Sequence, residues 1–126
     1  MKVEDITILV GENSVLARKQ LTDVLNSLGV KHILEASNGQ EVIDLYKKYI
    51  PDLVFLTLLM PGKDGNAAIS EIKADYPDAD IVVVSSMGTQ SQIKQMLQFG
   101  VTDFIQKPFE NAQIEAIINT RMEGRA

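Results

Sequence analysis

The chain has 126 residues and no cysteine, which is enough for one domain and excludes disulfides and thiolate metal sites. The net charge is −5 with acidic and basic residues interleaved, so the clustered lysines and arginines of a nucleic-acid-binding surface are missing. No apolar run approaches the ~18–20 residues that span a bilayer, and the N-terminal apolar stretch is too short for a signal peptide. We therefore expect one cytoplasmic domain over residues 1–126, bound to neither membrane nor nucleic acid.

The first strand is predicted at ITILV, residues 6–10, because this run is apolar and rich in β-branched residues. A helix capped by Asn13 or Ser14 follows and ends at Gly29. Its apolar residues recur at helical spacing and are expected on an inner stripe made of Val15, Leu16, Leu21, Val24, Leu25 and Leu28.

The same alternation continues to the end of the chain. Further strands are predicted at residues 31–37, 52–57, 80–86 and 101–106. Helices are predicted after them at about residues 39–49, 66–75, 89–99 and 110–122. The buried stripe of the fourth helix is expected to contain Ile93, Met96 and Leu97.

Five strands alternating with five helices predict an α/β fold, because strands that are apolar on both faces belong to a parallel sheet with helices on both sides. Open sheets of this kind bind or react at the carboxyl ends of their strands. The residues that follow strands one, three, four and five are therefore the candidate site residues: Gly11, Glu12, Thr57, Ser85, Ser86 and Lys107.

The motifs at these strand ends resemble the receiver domains of bacterial two-component response regulators, especially the single-domain chemotaxis type. The resemblance covers essentially the whole chain and is carried by MPGKDG after strand three, VVVSS at strand four and DFIQKPF at strand five. The segments ARKQL and EASNGQEVIDLYKK add to it. It implies a flavodoxin-like, doubly wound (βα)5 fold with strand order 2-1-3-4-5.

In that family an acidic pair after strand one helps to bind Mg²⁺, and an Asp ending strand three accepts a phosphoryl group from a histidine kinase. This chain has Gly11 and Glu12 at the acidic pair and Thr57 at the phosphoacceptor position. The residues that contact the phosphoryl oxygens are retained as Ser85 and Lys107. The switch aromatic beside strand five corresponds to Phe104.

These substitutions predict a degenerate site without catalytic residues or a metal. A threonine hydroxyl attacks phosphorus only after losing a proton, and the nearby base, Glu12, is a weak acceptor for it. Mg²⁺ is bound through carboxylates, waters and phosphate in octahedral geometry, and one carboxylate of a usual three remains. We therefore expect no cofactor, with Mg²⁺ absent or weakly held, and a Thr57 that packs and hydrogen-bonds to a neighbour such as Lys107. Glu12 is expected to pair with Lys107 or to face water.

The fourth helix is the candidate partner face, because uncharged carboxamides lose less than charges on desolvation. It carries four glutamines, Gln90, Gln92, Gln95 and Gln98. In the receiver family this helix docks protein partners together with strand five and helix five. Solvation of the same face with good helix propensity is the other interpretation.

The predicted function is a phosphorylation-independent, protein-binding receiver-like domain in two-component-type signalling, not an enzyme. Three alternatives stay open from the residues alone. They are an active phosphoacceptor with a non-standard acceptor, an engineered inactive variant of an ordinary receiver, and a flavodoxin-like cofactor binder. The acid in the turn GENS, residues 11–14, disfavours the cofactor binder, because a phosphate group needs bare amides and hydroxyls there. The sequence leaves the partner, the pathway and the oligomeric state open.

Overall fold

A computed structural model describes residues 2–86 and 89–124. Its strands are β1 to β5 in chain order: Thr7–Gly11, His32–Ala36, Leu53–Leu56, Ile81–Ser85 and Asp103–Gln106. Its helices are α1 to α5: Val15–Ser27, Gly39–Tyr49, Gly65–Asp75, Gln90–Gln98 and Asn111–Gly124. A short 3₁₀ turn at Val3–Asp5 precedes β1 and was not predicted.

The five strands form one parallel sheet in the order β2-β1-β3-β4-β5, which confirms the predicted fold. The order places β1 and β3 side by side, with Gly11 opposite Leu56 in the register. The chain reverses its direction of travel across the sheet at this pair, so the carboxyl ends of β1 and β3 frame the rim where such sheets carry their sites.

Both faces of the sheet are buried because alternate residues of each central strand point to opposite sides. In β3, Val54 and Leu56 pack toward α2, α3 and α4, while Leu53 and Phe55 pack toward α1 and α5. Continuous apolar runs therefore correspond to two cores, one on each face.

The predicted helix ends agree closely with the structure, because their capping residues are local signals. Ser14 caps α1 and accepts a hydrogen bond from the Ala17 N–H, and Asn38 caps α2 in the same way. Gly29 follows α1 with a φ of +96°, a left-handed conformation in which glycine ends helices readily.

The expected inner stripes of two helices are partly wrong. Val15 and Leu16 are 71% and 79% exposed, because α1 begins at the rim of the sheet and its first turn has little sheet beneath it. Leu97 is also exposed, since a helical step of about 100° rotates it away from the buried Met96. In the described residues, no helix is long and apolar enough to cross a membrane.

Candidate functional site

The carboxyl ends of β1, β3, β4 and β5 bring four predicted site residues together at one rim. The backbone sets this arrangement: the Thr57 N–H donates to the Gly11 carbonyl at 2.9 Å, and the Lys107 N–H donates to the Ser85 carbonyl at 2.9 Å. Thr57 and Lys107, which each follow a strand, are thus hydrogen-bonded to the last residue of the neighbouring strand. We call Glu12, Thr57, Ser85 and Lys107 the rim cluster.

A partly buried ion pair dominates the rim cluster. Lys107 Nζ donates to Glu12 Oε1, which is the pairing expected from the sequence. The Glu12 side chain is 7% exposed and that of Lys107 is 26% exposed. The cation that a receiver is expected to direct at phosphoryl oxygens is therefore held by a carboxylate of the same site.

The second carboxylate oxygen of Glu12 is also occupied. Oε2 accepts a hydrogen bond from the Ser14 N–H at 3.1 Å. With its amide nitrogen turned toward these acceptors, Asn13 donates to Oε2 at 3.0 Å and to the Leu59 carbonyl at 2.9 Å. The Glu12 carboxylate is thus satisfied by protein donors on both oxygens.

Arg18 fixes the backbone beneath this carboxylate. Its Nη1 donates to the Glu12 carbonyl at 2.7 Å, and its Nε donates to Glu35 Oε1 at 3.2 Å. Sequence reasoning missed Asn13 and Arg18 as parts of the site. The available signal was that Arg18 lies on α1 within two turns of the rim. The direction of its side chain could not be predicted, because it depends on how α1 packs against the sheet.

Thr57 lies one residue past β3 and is only 6% exposed. Within the described residues, Lys107 donates to Glu12 and not to the Thr57 hydroxyl, so the expected bond between Thr57 and Lys107 is not formed. A cavity of about 10 Å³ beside Glu12, Thr57 and Phe55 has room for at most one water molecule. The Thr57 side chain therefore sits in a nearly filled space.

The start of α3 closes over Thr57 from the other side. The Gly65 N–H donates to the Leu58 carbonyl at 2.8 Å, and a Cβ at Gly65 would lie 2.5 Å from the Thr57 carbonyl oxygen. Only a glycine permits this approach. Asp64, an acid in the turn between β3 and α3, caps α3 by accepting from the Ala67 N–H at 2.9 Å.

The remaining expected switch positions lie on β4 and β5. Ser85 is buried at the end of β4, and Phe104 is half-buried on β5, where its ring packs against the core on the α2–α4 side. Lys107 is followed by a cis peptide bond to Pro108.

Gly11, which the resemblance places at the acidic pair, leaves no room for a side chain unless a neighbour moves. A Cβ built there would lie 2.7 Å from Val42 Cγ2 and 2.8 Å from Leu56 Cδ1. The space that a side chain would need at Gly11 is therefore filled by close packing between β1, α2 and β3.

The donor set does not fit Mg²⁺, the ion that the fold family implies. The described residues contain no group of three or more acidic, histidine or cysteine side chains able to hold a metal. The one carboxylate of the rim cluster bonds to an ammonium and to two N–H groups, whereas Mg²⁺ needs oxygen ligands with free lone pairs in octahedral positions.

The four glutamines of α4 are all exposed, and two of them line a groove. Gln92 and Gln95 line a groove between α3 and α4, next to Asn66. Gln90 and Gln98 are exposed and line no part of it. A separate depression on β5 and α5 is lined by Phe104, Ile117 and neighbouring residues.

The sheet order and the rim cluster define the receiver class of α/β domains. The model of the response regulator receiver domain family matches residues 8–119. Chemotaxis protein CheY of Bacillus subtilis (strain 168) is 37% identical over 112 residues, which cover 89% of this chain and 93% of that protein. CheY of Thermotoga maritima is 34% identical over 112 residues with the same coverage.

A solved structure agrees with these relatives. A chain in the crystal structure of the CheX–CheY–BeF3–Mg²⁺ complex from Borrelia burgdorferi superimposes with a TM-score of 0.85 at 30% identity, covering 94% of this chain and 87% of that chain. The chain belongs to the response regulator receiver domain family and is a CheY-like receiver of two-component signalling. Members of this family are signalling proteins and not enzymes.

Proposed function

We propose that this receiver acts without phosphorylation, as a protein-binding module over residues 1–126 whose signalling state is set by its sequence. The observation that carries the proposal is the rim cluster. The phosphoacceptor position holds the buried Thr57, and the neighbouring Glu12 is neutralised by Lys107. The rim cluster thus lacks both an anion that could attack phosphorus and free carboxylates that could bind Mg²⁺.

The chemistry of the rim cluster supports the proposal step by step. A buried hydroxyl must lose its proton before it attacks phosphorus. The nearby carboxylate already bonds to an ammonium and to N–H groups, so it is a poor base for that proton. Weak or absent Mg²⁺ binding would also leave the charge of a transferring phosphoryl group without its usual counterion.

A receiver that accepts no phosphoryl group has a fixed balance between its conformations. A ligand shifts a two-state equilibrium only through its different affinities for the two states. We therefore propose one dominant conformation, unchanged by small phosphodonors.

Protein binding is the remaining activity, and we propose that α4, β5 and α5 form the partner face. The exposed Gln90 and Gln98 and the depression beside Phe104 support this assignment. The solved relative is in a complex with CheX, which supports a protein partner for this chain as well.

The proposal is tested by incubating the chain with acetyl phosphate and Mg²⁺ and measuring its intact mass. A receiver with all three family carboxylates is the positive control. The expected result is an unchanged mass for this chain beside a phosphorylated control. A phosphate adduct on this chain, mapped to Thr57 or to a nearby acid, would establish the active phosphoacceptor instead.

A further inference from the structure

A groove runs between α3 and α4. One part holds about 190 Å³ and is floored by Leu58 and Met96. A second part holds about 100 Å³ beside Ile69 and Val101. Both parts are lined by Met96 and Phe99, so we treat them as one feature, the α3–α4 groove.

Phe99 forms an exposed aromatic wall of this groove. It is 69% exposed, although its backbone is held at the end of α4 by hydrogen bonds from its N–H to the Gln95 and Met96 carbonyls. An aromatic ring fixed beside an open apolar cavity is the arrangement of an anchoring site in protein recognition.

The polar lining of the α3–α4 groove is uncharged except for one carboxylate. Asn66, Gln92 and Gln95 contribute carboxamides, and Asp64 contributes the single charged side chain in the described lining. Asp64 Oδ1 accepts from the Ala67 N–H, and the side chain remains exposed. The groove is therefore apolar at its floor and negative at one end.

We propose that the α3–α4 groove binds a segment of a partner protein that presents a large apolar side chain next to a lysine or arginine. The apolar side chain packs against Phe99 and Met96, and the cation lies by Asp64. The inference rests on the proposed protein-binding function and adds a second surface, because the depression on β5 and α5 shares no lining residue with this groove.

Charge complementarity selects this occupant over a second copy of the chain. Each chain carries a net charge of −5. A symmetric dimer through this face would repeat the same patch on both sides and bring two Asp64 carboxylates to one interface. A cationic segment meets the same carboxylate with attraction.

The test uses a phage library of random dodecapeptides selected on the 126-residue chain, followed by affinity measurements on the selected peptides. We expect peptides that combine a large apolar residue with a nearby Lys or Arg. Phe99→Ser should weaken their binding by about tenfold or more. Leu97→Ser is the matched control, because Leu97 is exposed on the same helix and lines neither part of the groove; it should change binding by less than about twofold.

Asp64→Asn isolates the charge, since asparagine also caps helices well. This variant should weaken binding by about threefold and reduce its dependence on salt. Three results would each overturn the proposal. They are selected peptides that are acidic, binding insensitive to Phe99→Ser, and self-association of the chain that Phe99→Ser abolishes.

The mass measurement with acetyl phosphate and the peptide measurement report on different residues. A phosphate adduct together with peptides that bind as expected would reject the phosphorylation-independent function and leave the groove assignment intact. An unchanged mass together with peptide binding that is insensitive to Phe99→Ser would reject the groove assignment and leave the phosphorylation-independent function intact.

Discussion

The ion pair between Glu12 and Lys107 joins residues from the first and last strand ends, across the rim of the sheet. Glu12 is nearly buried, and Lys107 keeps about a quarter of its side chain in solvent. Pairs of this kind are expensive to break on one side only, because the remaining charge stays in a poorly solvated place. Loss of either partner alone should therefore destabilise the fold, at the position where a typical receiver is expected to hold its metal.

A double-mutant cycle tests this account of the pair. Glu12→Gln and Lys107→Met should each lower the free energy of unfolding in urea by about 1–3 kcal/mol, less than for a fully buried pair because Lys107 is partly solvated. The double variant should lose less than the sum of the two, since it leaves no unpaired charge. Strict additivity, within about 0.5 kcal/mol, would show that the two groups do not interact.

Gly11 makes the missing acid difficult to restore. Its ideal Cβ position is closer than 3 Å to both Val42 and Leu56, so any side chain forces a buried neighbour to move. We expect Gly11→Ala to destabilise the chain by about 1–3 kcal/mol. Gly11→Asp should be at least as unfavourable.

Comparison of the two variants separates sterics from charge. If packing is the obstacle, Gly11→Ala accounts for most of the loss in urea unfolding. A neutral Gly11→Ala beside a strongly destabilised Gly11→Asp would place the obstacle in electrostatics, contrary to the packing account.

At the scale of elements, the strands and helices followed from local patterns, but the exposure of their ends did not. The local pattern predicted α1 from a cap at Asn13 or Ser14 to about Leu28, and the structure has it at Val15–Ser27 with Ser14 as its N-cap. The pattern placed Val15 and Leu16 in the core, because periodicity records which side of a helix is apolar and not how far the sheet extends beneath it. The first turn of α1 lies at the rim, where that inference fails.

The residues of the candidate site could be predicted from the sequence, but not all of their contacts. The rule that parallel strands end at one edge predicts from the sequence that Glu12, Thr57, Ser85 and Lys107 lie together. The hydrogen bonds from Asn13 and Arg18 to Glu12 could not be predicted, since they depend on side-chain directions and on the docking of α1.

The ion pair between Arg121 of α5 and Asp80, which lies at the end of the sheet opposite the rim cluster, is another contact that only the tertiary structure shows. We call this pair the clamp. Arg121 donates to both carboxylate oxygens of Asp80, at 2.9 and 3.0 Å, with both side chains largely buried. Bidentate pairs of this kind are stronger than single exposed pairs. The clamp holds the end of α5 beside the start of β4.

We expect Arg121→Met to lower the free energy of unfolding by about 1–2 kcal/mol. Lys19→Met is the matched control, because Lys19 pairs with Asp23 in the open, with 69% and 59% of their side chains exposed. It should cost less than about 0.5 kcal/mol. Equal losses in urea unfolding for the two variants would contradict a special role for the clamp.

The whole molecule combines an ordinary receiver scaffold with a neutralised rim. The sheet order and the fold match those of a solved CheY complex, so the scaffold can still present surfaces to partners. The rim differs in the groups that would carry the chemical signal. In the function that we propose, the conformational balance of such a receiver is set by its sequence and its bound partners and not by a phosphodonor.

The most direct test is the melting temperature of the chain with and without saturating Mg²⁺ and beryllofluoride, the pair of ligands in the solved CheX–CheY complex. A ligand held at one hundred times its Kd stabilises the folded state by about 2.7 kcal/mol and raises the melting temperature by several degrees. We predict a change of less than about 1 °C, within the range expected without specific binding. A rise of several degrees that requires both ligands together would contradict the account, because it would show that this rim holds a metal and a phosphoryl mimic.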